Sequence, residues 1–149
     1  TLIRRGYKLI NRNSLKDFGN PDLLRSALLR DPAIKSGKLS VASYLKTLET
    51  VPFKSYGDEP LEVLAIVVEL GSKIAKLDKF LLSKTGWLNN VTDNIFQALK
   101  KDYSSLYWIV NESDANVPWY FSKSDGSFAK NGEILFWYGL STEEASPLI

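Results

Sequence analysis

Cysteine, histidine and methionine are all absent from the 149 residues. Without cysteine there is no disulfide and no thiol nucleophile, and with histidine gone as well the usual zinc sites and every histidine-based triad are excluded. Much ordinary hydrolase chemistry goes with them, and no metal is expected. Charge of one sign is missing too: Lys plus Arg number 19 and Asp plus Glu 17, a net charge of +2. That is too little to drive polyelectrolyte binding, so nucleic acid is not an expected partner. No apolar run approaches the roughly 20 residues of a membrane helix, because the longest, Val63 to Val68, is bounded by Glu62 and Glu69. A soluble domain without a membrane partner is expected, and the N-terminus lacks the layout of a signal peptide. A chain without methionine reads as an excised segment or processed product of something longer, with neighbouring domains.

What is present suits one compact domain: 44% of residues are hydrophobic and 12% aromatic, enough to bury roughly two thirds of the unfolded surface. Tyr7 to Asn11 reads as a short strand. Asn20, Pro21 and Asp22 form a cap, a first-turn proline and a dipole-favoured acid, followed by Leu23, Leu24, Ala27 and Leu28 at helical spacing up to Asp31. Ser40 opens a second helix with Val41, Tyr44, Leu45 and Leu48 on one face. Phe53 to Tyr56, Glu62 to Glu69 and Leu77 to Ser83 read as consecutive antiparallel strands, with turns at Gly57-Asp58 and Gly71-Ser72. The unalternating run from Val63 to Val68 predicts a central strand covered on both faces. A helix from Leu88 to Lys101, a strand from Leu106 to Asn111 and a short helical piece over Ala115 to Phe121 follow. Asn131-Gly132 then pairs Ser127 to Ala129 with Ile134 to Phe136 in a hairpin, and Ser141 to Ile149 carries few signals and reads as a loosely held tail. The fold class is α+β, with helices on both faces of a mostly antiparallel sheet.

Three places merit chemical attention. The strand ending near Ser83 feeds a tight turn, Lys84 to Asn90, into a helix N-terminus, where amide N–H groups and the positive dipole end suit a pyrophosphate. An ordinary strand-to-helix connection capped by Asn89, Asn90 or Thr92 explains the same residues. The last third of the chain is rich in aromatics, mostly for packing, but Trp119-Tyr120-Phe121 cannot all face inward. With histidine and cysteine absent, the Tyr120 hydroxyl is among the few groups able to pass a proton. The carboxylates Glu112, Asp114, Asp125 and Glu133 fit no catalytic template, and the clusters Arg4-Arg5-Lys8 and Lys73-Lys76-Lys79 read as solvated faces.

Four separated strings, Leu77-Asp78-Lys79-Phe80, Gly86-Trp87-Leu88-Asn89-Asn90-Val91, Trp119-Tyr120-Phe121 with Lys123 to Ser127, and Leu135 to Gly139, occur in an order that resembles the acetyltransferase-type domain of N-acetylglutamate synthases and fungal N-acetylglutamate kinases. Thr1 to Gly6 resembles the exit from an arginine-sensitive amino-acid kinase domain. The resemblance implies a linker at 1–6, a GNAT fold with a splayed strand pair at 7–140 and a C-terminal tail at 141–149. It implies acetyl-CoA or CoA held by Phe80, Leu81, Leu82, Lys84, Gly86, Trp87, Leu88, Asn89 and Asn90. Lys79, Phe80, Asn111 and Asp114 fall at the glutamate pocket, and Tyr120 becomes the proton donor to the leaving thiolate. Attack by the glutamate amine is direct, so no side-chain nucleophile is needed. Where animal synthases place arginines after the tryptophan matching Trp108, this chain has Ile109, Val110 and Asn111. The implied setting is the mitochondrial matrix and arginine biosynthesis, with a covalently linked kinase domain, a homo-oligomer and association with acetylglutamate synthase. A regulatory domain with weak or no acetyl transfer is the leading expectation. A catalytic synthase domain is the alternative.

Overall fold

Every side chain from Val63 to Val68 is buried in the computed structural model, and the architecture is the means of covering both sides of that run. The structure describes residues 10–148 except 20, 59–60, 62, 70–73 and 83–90. Among these, seven strands form one sheet: β1 (Ile10–Arg12), β2 (Phe53–Gly57), β3 (Val63–Val68), β4 (Ala75–Leu82), β5 (Leu106–Asn111), β6 (Gly126–Lys130) and β7 (Glu133–Tyr138), in the order β1-β2-β3-β4-β5-β7-β6. All neighbours are antiparallel except β4 and β5.

Alternation along β3 divides the interior. Val63, Ala65 and Val67 point into a core built with Ile95, Phe96 and Leu99 of one helix and with Trp108, Tyr120 and Phe136. Leu64, Ile66 and Val68 point into a second core under three helices, α1 (Pro21–Leu28), α2 (Pro32–Lys35) and α3 (Val41–Leu48). The helix over the first core is α4 (Val91–Asp102), and α5 (Val117–Lys123) closes that layer beside it. Helices therefore cover both faces of a mostly antiparallel sheet, as the sequence predicts.

Several boundaries follow local chemistry. Ser40 caps α3, its Oγ accepting the Ser43 amide at 3.1 Å. In the β6–β7 hairpin Asn131 (φ 53°) and Gly132 (φ 83°) are both left-handed, which is the primed turn that matches strand twist, and Ser127 pairs Phe136 in the expected register. The α4 helix begins at Val91 among the described residues, and the expected start at Leu88 and caps at Asn89 and Asn90 lie outside them, as do Asn20 and the Gly71-Ser72 turn.

Two elements correct the sequence reading. Pro32 starts α2 instead of merely stopping α1: it occupies the first helical position, and Asp31 caps it by accepting the Ile34 amide on Oδ2 at 3.3 Å. The C-terminal stretch is not a loose tail. Ser141 and Glu144 form a reciprocal capping box for α6 (Thr142–Ala145), with bonds of 3.1 and 3.0 Å, and Ala145 is buried against Leu135 and Trp137.

At the far end of α4, Asp102 accepts the Tyr56 hydroxyl at 2.6 Å and the Lys54 ammonium at 2.9 Å. These bonds, the tyrosine's first, hold the Asp102 carboxyl below its ordinary 3.8. A depressed folded value means a contribution to stability present above about pH 3.8 and lost as pH falls through the folded value. Acid unfolding of Asp102→Asn should accordingly show a shallower loss of stability below that pH than the unaltered chain. Gly139 follows β7 with φ 70°, and a Cβ there would overlap the Ser104 carbonyl. Gly139→Ala should lower the urea-unfolding free energy by about 1–3 kcal/mol.

Candidate functional site

The sheet opens between β4 and β5. Their parallel ladder consists of two pairs, Ala75 with Leu106 and Lys76 with Tyr107. Beyond it β4 stays paired with β3 as far as Leu82, and β5 stays paired with β7 as far as Asn111. Each strand thus keeps one neighbour and turns its other backbone edge toward a shared gap.

An irregularity in β4 accompanies the opening. Ile66 pairs Lys79 while the adjacent Val67 pairs Leu77, so Asp78 is an extra residue in the ladder. Such a bulge bends its strand and inverts the alternation beyond it. Ala75 and Leu77 face the first core before the bulge. After it Phe80 packs on that core, and Leu81 faces the second.

On the first face the gap is bridged by aromatics. Phe80 stacks parallel to Trp119 with centroids 5.8 Å apart and meets Phe96 edge-on at 5.6 Å. Tyr120 lies 6.2 Å from Phe80 on β4 and 5.9 Å from Trp108 on β5, so one ring touches both splayed strands. Tyr120 is 2% exposed, Trp119 half-buried and Phe121 exposed. Burial, and then the Asp114 carboxylate, push the Tyr120 hydroxyl well above its ordinary value, against a smaller opposing effect of a hydrogen bond with Asn116. The hydroxyl therefore keeps its proton across the neutral range.

On the other face stands Lys79. Its ammonium lies 3.1 Å from Asp31 Oδ2 and 5.1 Å from the centre of the Tyr44 ring, and both ion-pair side chains are 11% exposed. The solvated face expected for Lys76 and Lys79 is thus absent: Lys76 pairs with Asp78 at 3.5 Å, and Lys79 is enclosed. Lys73 lies outside the described residues. Asn111 and Asp114 come together at the end of β5, but their side chains serve the turn. Asn111 Oδ1 accepts the Ser113 amide at 2.9 Å and hydroxyl at 2.8 Å, and Asp114 Oδ1 accepts the Asn116 amide at 2.8 Å.

Of the residues expected to hold a coenzyme, Phe80 to Leu82 form the last turn-ward stretch of β4, with Leu81 buried in the second core. Any contact by Leu81 is therefore through backbone. Lys84, Gly86, Trp87, Leu88, Asn89 and Asn90 lie outside the described residues. In the first turn of α4 the Asp93 carboxylate is met by Lys123 at 2.8 Å, which offsets the negative charge nearest the expected phosphate position. A separate cavity of about 240 Å³, lined by Ile109, Phe128, Leu135 and Leu148, lies on the opposite side of β5 and β7 from Tyr120.

Sequence reasoning missed Asp31 and Tyr44. One sits in a helix stop and the other on a helical apolar stripe, and nothing in their spacing connects either to Lys79.

An antiparallel sheet interrupted by one parallel pair that parts, with a helix after the parting strand, defines the GNAT class of N-acetyltransferase fold. PaiA N-acetyltransferase from Thermoplasma acidophilum, solved in complex with coenzyme A, superposes with a TM-score of 0.60 at 11% identity, covering 88% of this chain and 98% of that one. Residues 10–149 match the family described as NAT, the N-acetyltransferase of N-acetylglutamate synthase, and the chain belongs to that family. Protein ARG5,6, mitochondrial, of Candida albicans is 81% identical over 149 residues, all of this chain and 17% of that protein. An acetylglutamate kinase of Xylella fastidiosa is 25% identical over 146 residues, 94% of this chain and 31% of that protein. The chain thus spans only a minor part of the curated relatives, and it is an N-acetyltransferase-type domain whose relatives include proteins named as mitochondrial.

Because the Tyr120 hydroxyl titrates above the ordinary 10.0, near-ultraviolet titration of the unaltered chain and of Tyr120→Phe should give equal phenolate amplitudes at that pH. A smaller amplitude in the variant would show that Tyr120 ionises normally.

Proposed function

We propose that the chain is the regulatory N-acetyltransferase-type domain of a mitochondrial acetylglutamate kinase, tuning kinase rate and arginine feedback, with weak or no acetyl transfer of its own. The observation that carries this reading is the commitment of Lys79 to Asp31 within a nearly closed pair. With Ile109, Val110 and Asn111 along the end of β5, no other described side chain of the splayed strands is a cation placed beyond the bulge. An acyl acceptor bearing two carboxylates loses charge-assisted bonds of about 1.5–3 kcal/mol each.

The edge of β4 fits the pantetheine arm of coenzyme A: beyond Lys76 no described strand pairs with it on the gap side, so the backbone of Phe80 to Leu82 can hydrogen-bond an extended amide chain. Acetyl-CoA bound there supplies an activated thioester. Phe80 and Trp119 exclude water from the first face, and Tyr120 holds a proton between the strands. On this reading the domain senses the acyl donor while binding the acceptor poorly.

Residues 1–6 are assigned as the linker from the kinase domain, outside the described residues. Residues 7–140 form the acetyltransferase-type unit, and 141–149 extends it, since Ala145 and Leu148 pack on Leu135 and Trp137. The larger size of the relatives supports covalent attachment to further domains, and the Xylella relative supports a kinase among them. Homo-oligomerisation and association with acetylglutamate synthase belong to the same proposal.

The second reading, a catalytic synthase domain moving acetyl from acetyl-CoA to L-glutamate, is favoured by the protonated Tyr120 touching both splayed strands. Calorimetry with acetyl-CoA should give binding, and an acetyl-transfer assay with L-glutamate should run roughly 100-fold or more slower than a synthase domain assayed in parallel, the effect of two lost charge-assisted bonds. Robust turnover that Tyr120→Phe abolishes would establish the synthase reading. Deleting the domain from the full protein should alter kinase rate and arginine inhibition. No change in either would reduce its role to an oligomer contact.

A further inference from the structure

The cluster on the far side of β4 carries more than a neutralised lysine. We infer that Asp31 is a specificity-determining residue: an internal carboxylate that occupies the seat on Lys79 which a dicarboxylic amino acid would otherwise take. The inference deepens the proposed function and rests on Lys79 lying at the acyl-acceptor pocket.

Three features of the cluster support it. First, Asp31 is held in place without Lys79. Its backbone opens α2, with the Ile34 and Lys35 amides on its carbonyl oxygen at 3.1 and 2.9 Å, while Oδ2 caps the Ile34 amide at 3.3 Å. A carboxylate fixed beside an ammonium competes at high effective concentration against any ligand that must surrender translational freedom to bind. Second, the pair is nearly dry, each side chain 11% exposed, so removing one charge leaves the other seeking a counterion. Third, the Tyr44 ring lies under the Lys79 ammonium, and its buried hydroxyl stands beside the pair, facing the Asp78 carboxylate without a bond of good geometry. An ammonium with donors to spare beside a phenol hydroxyl constitutes a carboxylate seat, and the carboxylate now in it belongs to the chain.

Asp31 also has a purely structural duty as the cap of α2, and Asn separates the two roles because its amide oxygen accepts the same backbone N–H without the charge. L-glutamate is titrated calorimetrically into the unaltered chain, Asp31→Asn, Asp31→Asn/Lys79→Gln and Asp31→Asn/Tyr44→Phe, with thermal melts confirming folding. Asp31→Asn should bind L-glutamate at least about 10-fold more tightly than the unaltered chain, one order of magnitude being the smallest clear charge-pair effect. The gain should vanish with Lys79→Gln added and fall with Tyr44→Phe added. No gain in folded Asp31→Asn, or a gain that survives Lys79→Gln, overturns the inference. Acetyl-CoA titrations on the same samples report on the proposed function separately, since donor binding does not pass through Asp31.

Discussion

The extra residue at Asp78 is the constraint on which the site depends. It lets β4 hold its ladder with β3 to Leu82 while its other edge leaves β5 after Lys76. It also decides which side chain faces which layer. With uninterrupted alternation from Ala75 and Leu77, Lys79 would point into the core containing Phe96 and Trp108, and Phe80 would face α1 to α3. A bare ammonium among aromatic rings is costly to bury, and the Phe80–Trp119 stack would be lost. One bulge therefore opens the sheet, sends the aromatic residue to the proton donor and sends the cation to Asp31.

What was legible in the sequence is what local chemistry dictates. Asn131-Gly132 requires a primed turn, and the turn fixes the register of Phe128 and Leu135. The run from Val63 to Val68 has no polar face, so it demands cover on both sides. The family strings placed Phe80 and Tyr120 in one site, and the structure brings those rings within 6.2 Å. The Asp78 bulge was not legible, because Leu77 to Ser83 reads as an ordinary strand and a bulge is defined by its partner. The Lys79–Asp31 pair was hidden for a related reason: its members belong to elements far apart in sequence, and each alone resembles surface charge or a helix stop. The end of the chain was a different failure. The Ser141-x-x-Glu144 box was in plain view, and the shortness of the segment hid it.

The two faces of β4 at the gap are electrostatically unlike. Across one, Tyr120 keeps its proton because desolvation opposes the phenolate and Asp114 adds to the effect. Across the other, burial and the carboxylates of Asp78 and Asp31 push the Tyr44 hydroxyl upward as well. Both tyrosines are thereby neutral donors. Of the two, Tyr120 lies between the parted strands, so on the proposed reading proton delivery belongs to its face and recognition of charge to that of Lys79.

That separation bears on how such a domain can lose transfer and keep its fold. Direct attack by an amine asks little of the protein beyond placing the amine and supplying a proton, so no buried nucleophile or metal need be retained. The first core, with Ile95, Leu99, Trp108 and Phe136, is indifferent to whether an acceptor binds. The splay that suits the acyl donor is set by backbone pairing, which survives changes at Lys79. On the proposed reading acceptor binding instead hangs on a few charges at the surface of the second core, where the Asp31 carboxylate already pairs with the Lys79 cation. On the proposed reading the donor-binding half and the acceptor-binding half are separable by chemistry. A domain retaining the first without the second is then a sensor of acetyl-CoA supply, a quantity relevant to the pathway it serves.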